Sequence, residues 1–175
     1  RVTGTQFVKS DQYTIKLEGA KPVGYRTISL AGVRSPDLIA QLDTVLESVK
    51  DQVFQNFGEI EIAEVKLLFR CYGRDGVMGE LEPMRQAQPH EIGLVIEVVA
   101  KTQALADTVC SFARSTLLHI GYPGRQSTAG NLAFPYSPSD SSHGLVYEFS
   151  VYHLLTVDDP LTPFPRRMQQ LGIRS

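Results

Sequence analysis

The sequence predicts an α+β domain, and three observations support that class. Four segments alternate apolar and polar residues with the period of two that half-buried strands show, and two longer segments carry apolar residues at every third or fourth position, as amphipathic helices do. Glycine and proline separate these segments. Their order is β-α-β-β-α-β, and two right-handed split β-α-β units form a ferredoxin-like sandwich, a four-stranded antiparallel sheet with two helices on one face.

Two further segments flank this domain. Residues 1–20 are predicted to form an N-terminal hairpin or linker, because residues 5–17 alternate as two short strands around a polar turn. Residues 21–157 form the ferredoxin-like domain. Residues 158–175 contain three prolines, which favour an extended C-terminal tail.

The first strand of the domain is predicted over residues 23–33. Ile28 and Leu30 lie on one face of this strand, and Thr27 and Ser29 lie on the other. Because the apolar face of a half-buried strand packs on the core, the alternation predicts that Ser29 lies on the face without helices.

The first helix is predicted to begin at Pro36. Ser35 supplies the N-cap hydroxyl, proline is favoured at the first helical position, and Asp37 is an acid in the first turn. Gly58 is the predicted stop. One apolar stripe of about five turns lies between these signals: Leu38, Leu42, Val45, Leu46, Val49 and Val53.

The remaining elements follow the same patterns. Alternation predicts the second and third strands over residues 65–72 and 92–98. Thr102 can cap the second helix, which ends before Gly121, and alternation over residues 147–152 predicts the fourth strand.

This topology brings three polar loops to one edge of the sheet: residues 32–37, 73–90 and 119–144. Arg34, Arg74 and Arg125 lie one in each of these loops, so their three guanidinium groups could converge on a carboxylate or a phosphate. The alternative is a surface network in which these arginines pair with the acids of the same loops, namely Asp37, Asp75 and Asp140.

Two of these loops have a structural and a binding interpretation. Residues 73–79, GRDGVMG, form either a structural turn, which we favour, or an anion-binding nest of backbone amides. Residues 121–140 are longer than an ordinary connection, which favours a binding loop or an Ω-loop held by Phe134 and Tyr136.

Composition and spacing exclude several classes of function. The 17 basic and 19 acidic residues are well mixed and give a net charge of −2, which argues against a nucleic-acid partner. The apolar runs are too short for a membrane helix. The histidines and cysteines lack metal-binding spacings, so we expect no metal and no cofactor. Cys71 and Cys110 fit buried thiols in a reducing cytoplasm.

The uncovered face of the sheet is predicted to face water or another subunit, and the second option makes the protein a homo-oligomer. The side chains expected on this face are Ser29, Arg70, Glu97 and Glu148 together with Tyr25 and Tyr72.

Four strings carry a family resemblance: residues 23–34 (VGYRTISLAGVR), 72–79 (YGRDGVMG), 90–100 (HEIGLVIEVVA), and 123–140, which begins PGR and ends GNLAFPYSPSD. In this order and spacing they resemble the C-terminal domain of the acyclic terpene utilisation (AtuA-like) family over nearly the whole chain. The resemblance implies a larger cytoplasmic protein in which an N-terminal α/β domain precedes this piece. It also implies a link to acyl-CoA catabolism of citronellol- and geraniol-type terpenes.

A chain that starts at Arg1 without a methionine fits this expectation of a fragment. The resemblance further implies that the loops with Arg74, Asp75 and Asn131 face the missing domain or its ligand, an acyl-CoA or a carboxylate. The first hypothesis is therefore an accessory or assembly domain that contributes loops to an interdomain or ligand site.

The alternative is an enzyme domain of the lyase or hydratase type, acting on an anionic or CoA-linked substrate. Arg74 and Arg125 would then clamp the anion, and Asp75, Asp140 or His119 would transfer protons.

Overall fold

The computed structural model describes residues 1–62, 64–128 and 130–169. Its four strands form one antiparallel sheet in the order β2-β3-β1-β4, so the predicted α+β class and the antiparallel sheet are confirmed. The elements in chain order are β1 (Tyr13–Val33), α1 (Pro36–Ala40), α2 (Leu42–Ile62), β2 (Lys66–Tyr72), a 3₁₀ turn (Gly79–Leu81), β3 (Ile92–Ala100), α3 (Gln103–His119) and β4 (Asp140–Val157).

The chain divides into two compact units, and both long strands contribute to each of them. The larger unit, Pro22–Tyr147, contains the helices, β2, β3 and the hydrophobic core. The smaller unit combines Arg1–Lys21 with the described residues from Glu148 onward.

The smaller unit is a two-stranded ribbon rather than the predicted hairpin. Lys21 Nζ lies 3.3 Å from Glu148 Oε1, and the Lys16 ammonium lies 4.6 Å from the centre of the Tyr152 ring. Residues 1–12 form no strand. The hairpin prediction is wrong because residues 13–21 are the first part of β1. Their partner is β4, about 130 residues away in the chain, and local alternation does not show so distant a pairing.

The core lies between the sheet and the helices α2 and α3. Leu42, Val49 and Val53 of α2 are 1% exposed or less, and Val109 and Cys110 of α3 are fully buried. These side chains form one cluster with the strand residues that face the helices, among them Ala31, Val33, Leu67, Cys71, Ile92, Leu94, Ile96 and Val98.

The register of β1 reverses the predicted assignment of its faces. Thr27 pairs with Val98 and Ser29 pairs with Ile96, and residues directly opposite each other in an antiparallel pair share a face. Thr27 and Ser29 are 1% exposed and lie on the helix-covered face, so the placement of Ser29 on the uncovered face is wrong.

Hydrogen bonds explain why two hydroxyls are tolerated there. Thr27 Oγ1 donates to Asp107 Oδ1 at 2.5 Å, and Ser29 Oγ donates to the carbonyl of Ser139 at 3.1 Å. A buried hydroxyl with a partner avoids most of the desolvation cost. The Asp107 carboxylate also accepts hydrogen bonds from Gln103 Nε2 and Ser142 Oγ.

The predicted first helix is divided in two at Gln41. Its amide Nε2 donates to the carbonyl of Asp37 at 2.7 Å and to that of Pro123 at 2.9 Å, which joins the break to the loop after α3. The predicted cap forms, because Ser35 Oγ accepts the amide of Leu38. Gly58 interrupts the helical backbone with φ 71°, as its position in the sequence predicts.

β4 is much longer than the predicted fourth strand of residues 147–152. It begins at Asp140, so the connection after α3 is shorter than the predicted loop of residues 119–144. α3 has the predicted cap, with Thr102 Oγ1 accepting the amide of Leu105. The described part of the C-terminal segment contains a turn at residues 160–163, and residues 170–175 lie outside the described chain.

Among the described residues, no helix combines the length and apolar character needed to cross a membrane.

Candidate functional site

The three polar loops meet at one edge of the larger unit. The backbone amides of Arg34 and Ser35 both donate to the carbonyl of Gly130, at 2.9 and 2.8 Å. Gly32 and Ala133 exchange two backbone hydrogen bonds just beyond that point. The loop after α3 is therefore tied to the end of β1.

The loop that begins at Gly73 is a structural turn. The amides of Arg74, Asp75 and Gly76 all donate to the carbonyl of Cys71, at 3.1, 3.1 and 2.9 Å. A Cβ at Gly73, which has φ 99°, would lie 2.8 Å from the carbonyl oxygen of Glu91. Because its amides are engaged within the turn, the alternative of an anion-binding nest gains no support.

Asn131 holds the loop after α3 together. Its side chain is 6% exposed, its Oδ1 accepts the Tyr122 hydroxyl at 2.6 Å, and its Nδ2 donates to the carbonyl of Gln126. Leu132 belongs to the core and Phe134 packs against it, whereas Tyr136 is half exposed. Phe134 therefore fits the predicted Ω-loop anchor, and the contacts of Asn131 are those of a structural residue.

The structure brings two of the three predicted arginines together. Arg34 and Arg74 line one cavity of about 280 Å³, together with Arg85 and His90, which like Arg74 belong to the β2–β3 loop. Arg125 does not line this cavity. Its guanidinium donates to the carbonyl of Leu118 at 3.2 Å and so caps the end of α3.

Sequence reasoning missed Arg85 and His90, although both lie inside the predicted loop of residues 73–90. The signal that could have found them is the loop itself, which returns toward the edge before β3 begins at Ile92. Spacing alone does not show which of its side chains face the β1–α1 turn.

Arg74 is the most constrained of these cations. Its Nη2 lies 2.8 Å from Asp43 Oδ1 and 3.2 Å from Asp75 Oδ2. Burial opposes its charge, but the hydrogen bonds that the guanidinium donates to Asp43 and Asp75 outweigh burial and raise its pKa. Its Nε is buried and has no hydrogen-bond partner in the described part of the chain.

The structure places the proposed acid–base residues in separate pairings. Asp75 contacts Arg74, and Asp140 accepts a hydrogen bond from Arg114 Nε at 2.8 Å. His119 is exposed in the last turn of α3, where a cation complements the helix dipole. These three residues do not form a hydrogen-bonded catalytic group.

The two thiols are poor nucleophiles. Burial is the main cause that raises the pKa of Cys71 to about 11 and the pKa of Cys110 to about 12. Among the side chains that the structure describes, no group of three or more histidines, cysteines and acids is arranged to hold a metal ion.

A second feature lies on the sheet face opposite the helices. Glu97 of β3 is only 6% exposed and accepts a hydrogen bond from Arg70 Nε of β2 at 3.0 Å. Arg26 Nε of β1 lies 2.8 Å from the other oxygen of Glu97, without the alignment of a hydrogen bond. One carboxylate thus joins two guanidiniums across three strands.

We call this surface the open face. The register of β1, β2 and β3 assigns ten side chains to it: Arg26, Ile28, Leu30, Lys66, Leu68, Arg70, Tyr72, Val95, Glu97 and Val99. Five of them are aliphatic, and the side chains of Leu68 and Tyr72 are 42% and 45% exposed. The prediction that Arg70, Glu97 and Tyr72 share a face fits this register, whereas Glu148 lies in the ribbon and pairs with Lys21.

Comparison with protein-family models, with curated proteins and with solved structures finds no match for this chain.

Proposed function

We propose that this chain is an assembly domain that binds a second copy of itself through its open face. The observation that carries the proposal is the sequence of β3, in which Val95 and Val99 lie on the open face while Leu94, Ile96 and Val98 lie on the helix-covered face. Strands that are apolar on both faces are typical of sheets covered on both sides, whereas a sheet with one solvated face alternates apolar and polar residues.

The charged residues of the open face do not prevent it from being covered. Burying an unpaired charge is costly, but Glu97 is already paired with Arg26 and Arg70 and is already nearly inaccessible to water. A partner that packs on Ile28, Leu30 and Val95 therefore desolvates no orphan carboxylate.

The size of the face fits a second copy of the same chain. Four strands at ~4.8 Å spacing and a ladder of nine residues in β3 at ~3.3 Å give on the order of 600 Å² before side-chain relief is counted. A stable dimer buries about 800 Å² per partner. An isologous contact requires a self-complementary surface, which a face of aliphatic residues with internally paired charges supplies.

The experiment is a matched pair of charge insertions. Leu68 of the open face and Phe54 of α2 are equally exposed, at 42% and 41%. Leu68→Asp is expected to give a monomer and Phe54→Asp to leave the dimer intact, measured by sedimentation and light scattering over a concentration series, with circular dichroism as the check on folding. A wild-type chain that stays monomeric at millimolar concentration, or equal effects of the two variants, would overturn the proposal.

The resemblance to the AtuA-like family gives the proposal its biological setting. In that setting the chain is the C-terminal accessory domain of a larger cytoplasmic protein linked to acyl-CoA catabolism of acyclic terpenes. The order β2-β3-β1-β4 with both long helices on one face supports the ferredoxin-like architecture of this proposal. Two free, buried thiols support a reducing compartment.

A further inference from the structure

A cavity at the loop edge has properties that self-association does not require. It lies between the β1–α1 turn, which contributes Arg34 and Pro36, and the end of the β2–β3 loop, which contributes Arg85 and His90. We infer that this cavity binds a small organic carboxylate, with Arg34 as the principal anion-binding residue.

The charges around the cavity identify Arg34. No aspartate or glutamate is among the residues that line it. Arg74 contributes little free charge because Asp43 and Asp75 compensate it. The side chain of Arg34 is exposed and forms no ion pair with any described residue, so its forked donors are available to an incoming carboxylate.

Arg85 and His90 also line the cavity. The Arg85 guanidinium donates to the backbone carbonyl of Glu80, which uses a donor without neutralising the charge. Arg85 also borders a neighbouring cavity lined by Glu80 and Glu82, which places its charge between the two cavities. Of the three arginines that line this cavity, Arg34 is therefore the one that neither pairs with a described acid nor borders the cavity of Glu80 and Glu82.

The apolar part of the lining, here called the apolar wall, favours an organic anion over an inorganic one. It consists of Pro36, Ile39, Ala40, Ala87 and Pro89, and the amides of Gln86 and Gln88 lie beside it. Ligand sites combine apolar walls with a few polar anchors, and those for drug-sized molecules occupy about 300–1,000 Å³. A cavity of about 280 Å³ fits a carboxylate that carries a short hydrocarbon chain.

The test titrates the whole chain with acetate, butyrate, hexanoate and inorganic phosphate, measured by calorimetry and thermal shift. We expect the carboxylates to bind more tightly with length, by up to about fourfold per methylene that enters the apolar wall, and phosphate to bind more weakly than butyrate. Arg34→Ala is expected to weaken butyrate binding at least ~10-fold, because a charge-assisted pair is lost. Arg125→Ala, outside the cavity, is the matched control and is expected to stay within about twofold.

A second variant tests the apolar wall. Ala40 is exposed on a short helix, so Ala40→Leu is expected to fold and to weaken hexanoate more than acetate. The inference fails if no carboxylate shows saturable binding, if phosphate binds more tightly than butyrate, or if the Arg34 and Arg125 variants behave alike. Light scattering on the same samples measures self-association. The dimer proposal and the carboxylate proposal can therefore fail independently, and each failure has its own measurement.

Discussion

The two faces of the sheet differ in how they accommodate apolar and polar residues. On the helix-covered face, Ile96 and Val98 are fully buried and the hydroxyl of Thr27 is bonded to Asp107 on α3. On the open face, Val95 is only partly buried and Glu97 is enclosed by arginines of the neighbouring strands. The helices of the same chain bury the first face. On the open face the charge of Glu97 is paired, but apolar side chains such as Leu68 stay exposed.

Because of this difference, we expect substitutions on the two faces to affect different properties, folding stability and self-association. Substitutions on the helix-covered face should change the free energy of unfolding of the monomer. Substitutions of the exposed apolar residues of the open face should change mainly the dimer, because their neighbours in the monomer include water.

The largest effect on stability is expected from Ile96→Ala. Removing a fully buried side chain loses its transfer free energy and leaves a cavity, at a cost of about 2–5 kcal/mol. Urea unfolding of dilute protein measures this loss. Val95→Ala on the open face is the control, and an equal loss for both would erase the difference between the faces.

The next largest effect is expected from Glu97→Gln, which should lower the free energy of unfolding by about 2 kcal/mol. The variant keeps the shape but removes the charge that pairs with Arg26 and Arg70, and hydrogen bonds to charged groups contribute about 1.5–3 kcal/mol. Both arginines are partly exposed, which keeps the loss below that of a fully buried pair. A double-mutant cycle with Arg70→Gln measures the coupling, and additive losses would mean that the pair contributes nothing.

Asp107→Asn is expected to lower the free energy of unfolding by less than about 1 kcal/mol at neutral pH, because the carboxylate is only partly buried and solvent screens its hydrogen bonds. The Thr27 hydroxyl, helped by Ser142 and Gln103, lowers the pKa of Asp107. A lowered pKa in the folded state gives stability that is present above the unfolded value near 4 and disappears as the pH falls through the folded value. Thermal unfolding from pH 7 to pH 3 should therefore show the wild type and the variant converging at acid pH, and a constant difference would exclude this linkage.

The smallest effect on the monomer is expected from Val95→Thr. A hydroxyl on the partly exposed open face can reach water, so we expect a loss of about 0.5 kcal/mol or less in the Leu68→Asp background. Val98→Thr puts the same group on the fully buried side and should cost about 1–3 kcal/mol. Similar losses would show that the open face is covered within the monomer.

Local signals in the sequence predicted much of the fold. The Ser35 and Thr102 caps, the Gly58 break and the apolar stripe of the first helix are all where the sequence places them, because caps and stripes depend on neighbours within a few residues. The hairpin in residues 5–17 failed because the partner of residues 13–21 is distant in the chain.

The candidate site was predicted only in part. Assigning Arg34 and Arg74 to one edge needed only the order of the elements, and both line one cavity. Arg125 is drawn to the end of α3 by the carbonyl of Leu118, while Arg85 and His90 enter the cavity through the path of a loop without periodic structure. No spacing rule determines the path of such a loop.

Periodicity and local backbone chemistry are sufficient to predict the α+β class, most helix boundaries and the apolar residues along β3. They do not predict which face of β1 the helices cover. Both faces of that strand carry apolar side chains, so alternation could not choose between them. The face with Thr27 and Ser29 can be buried because Asp107 of α3 and the carbonyl of Ser139 accept hydrogen bonds from the two hydroxyls.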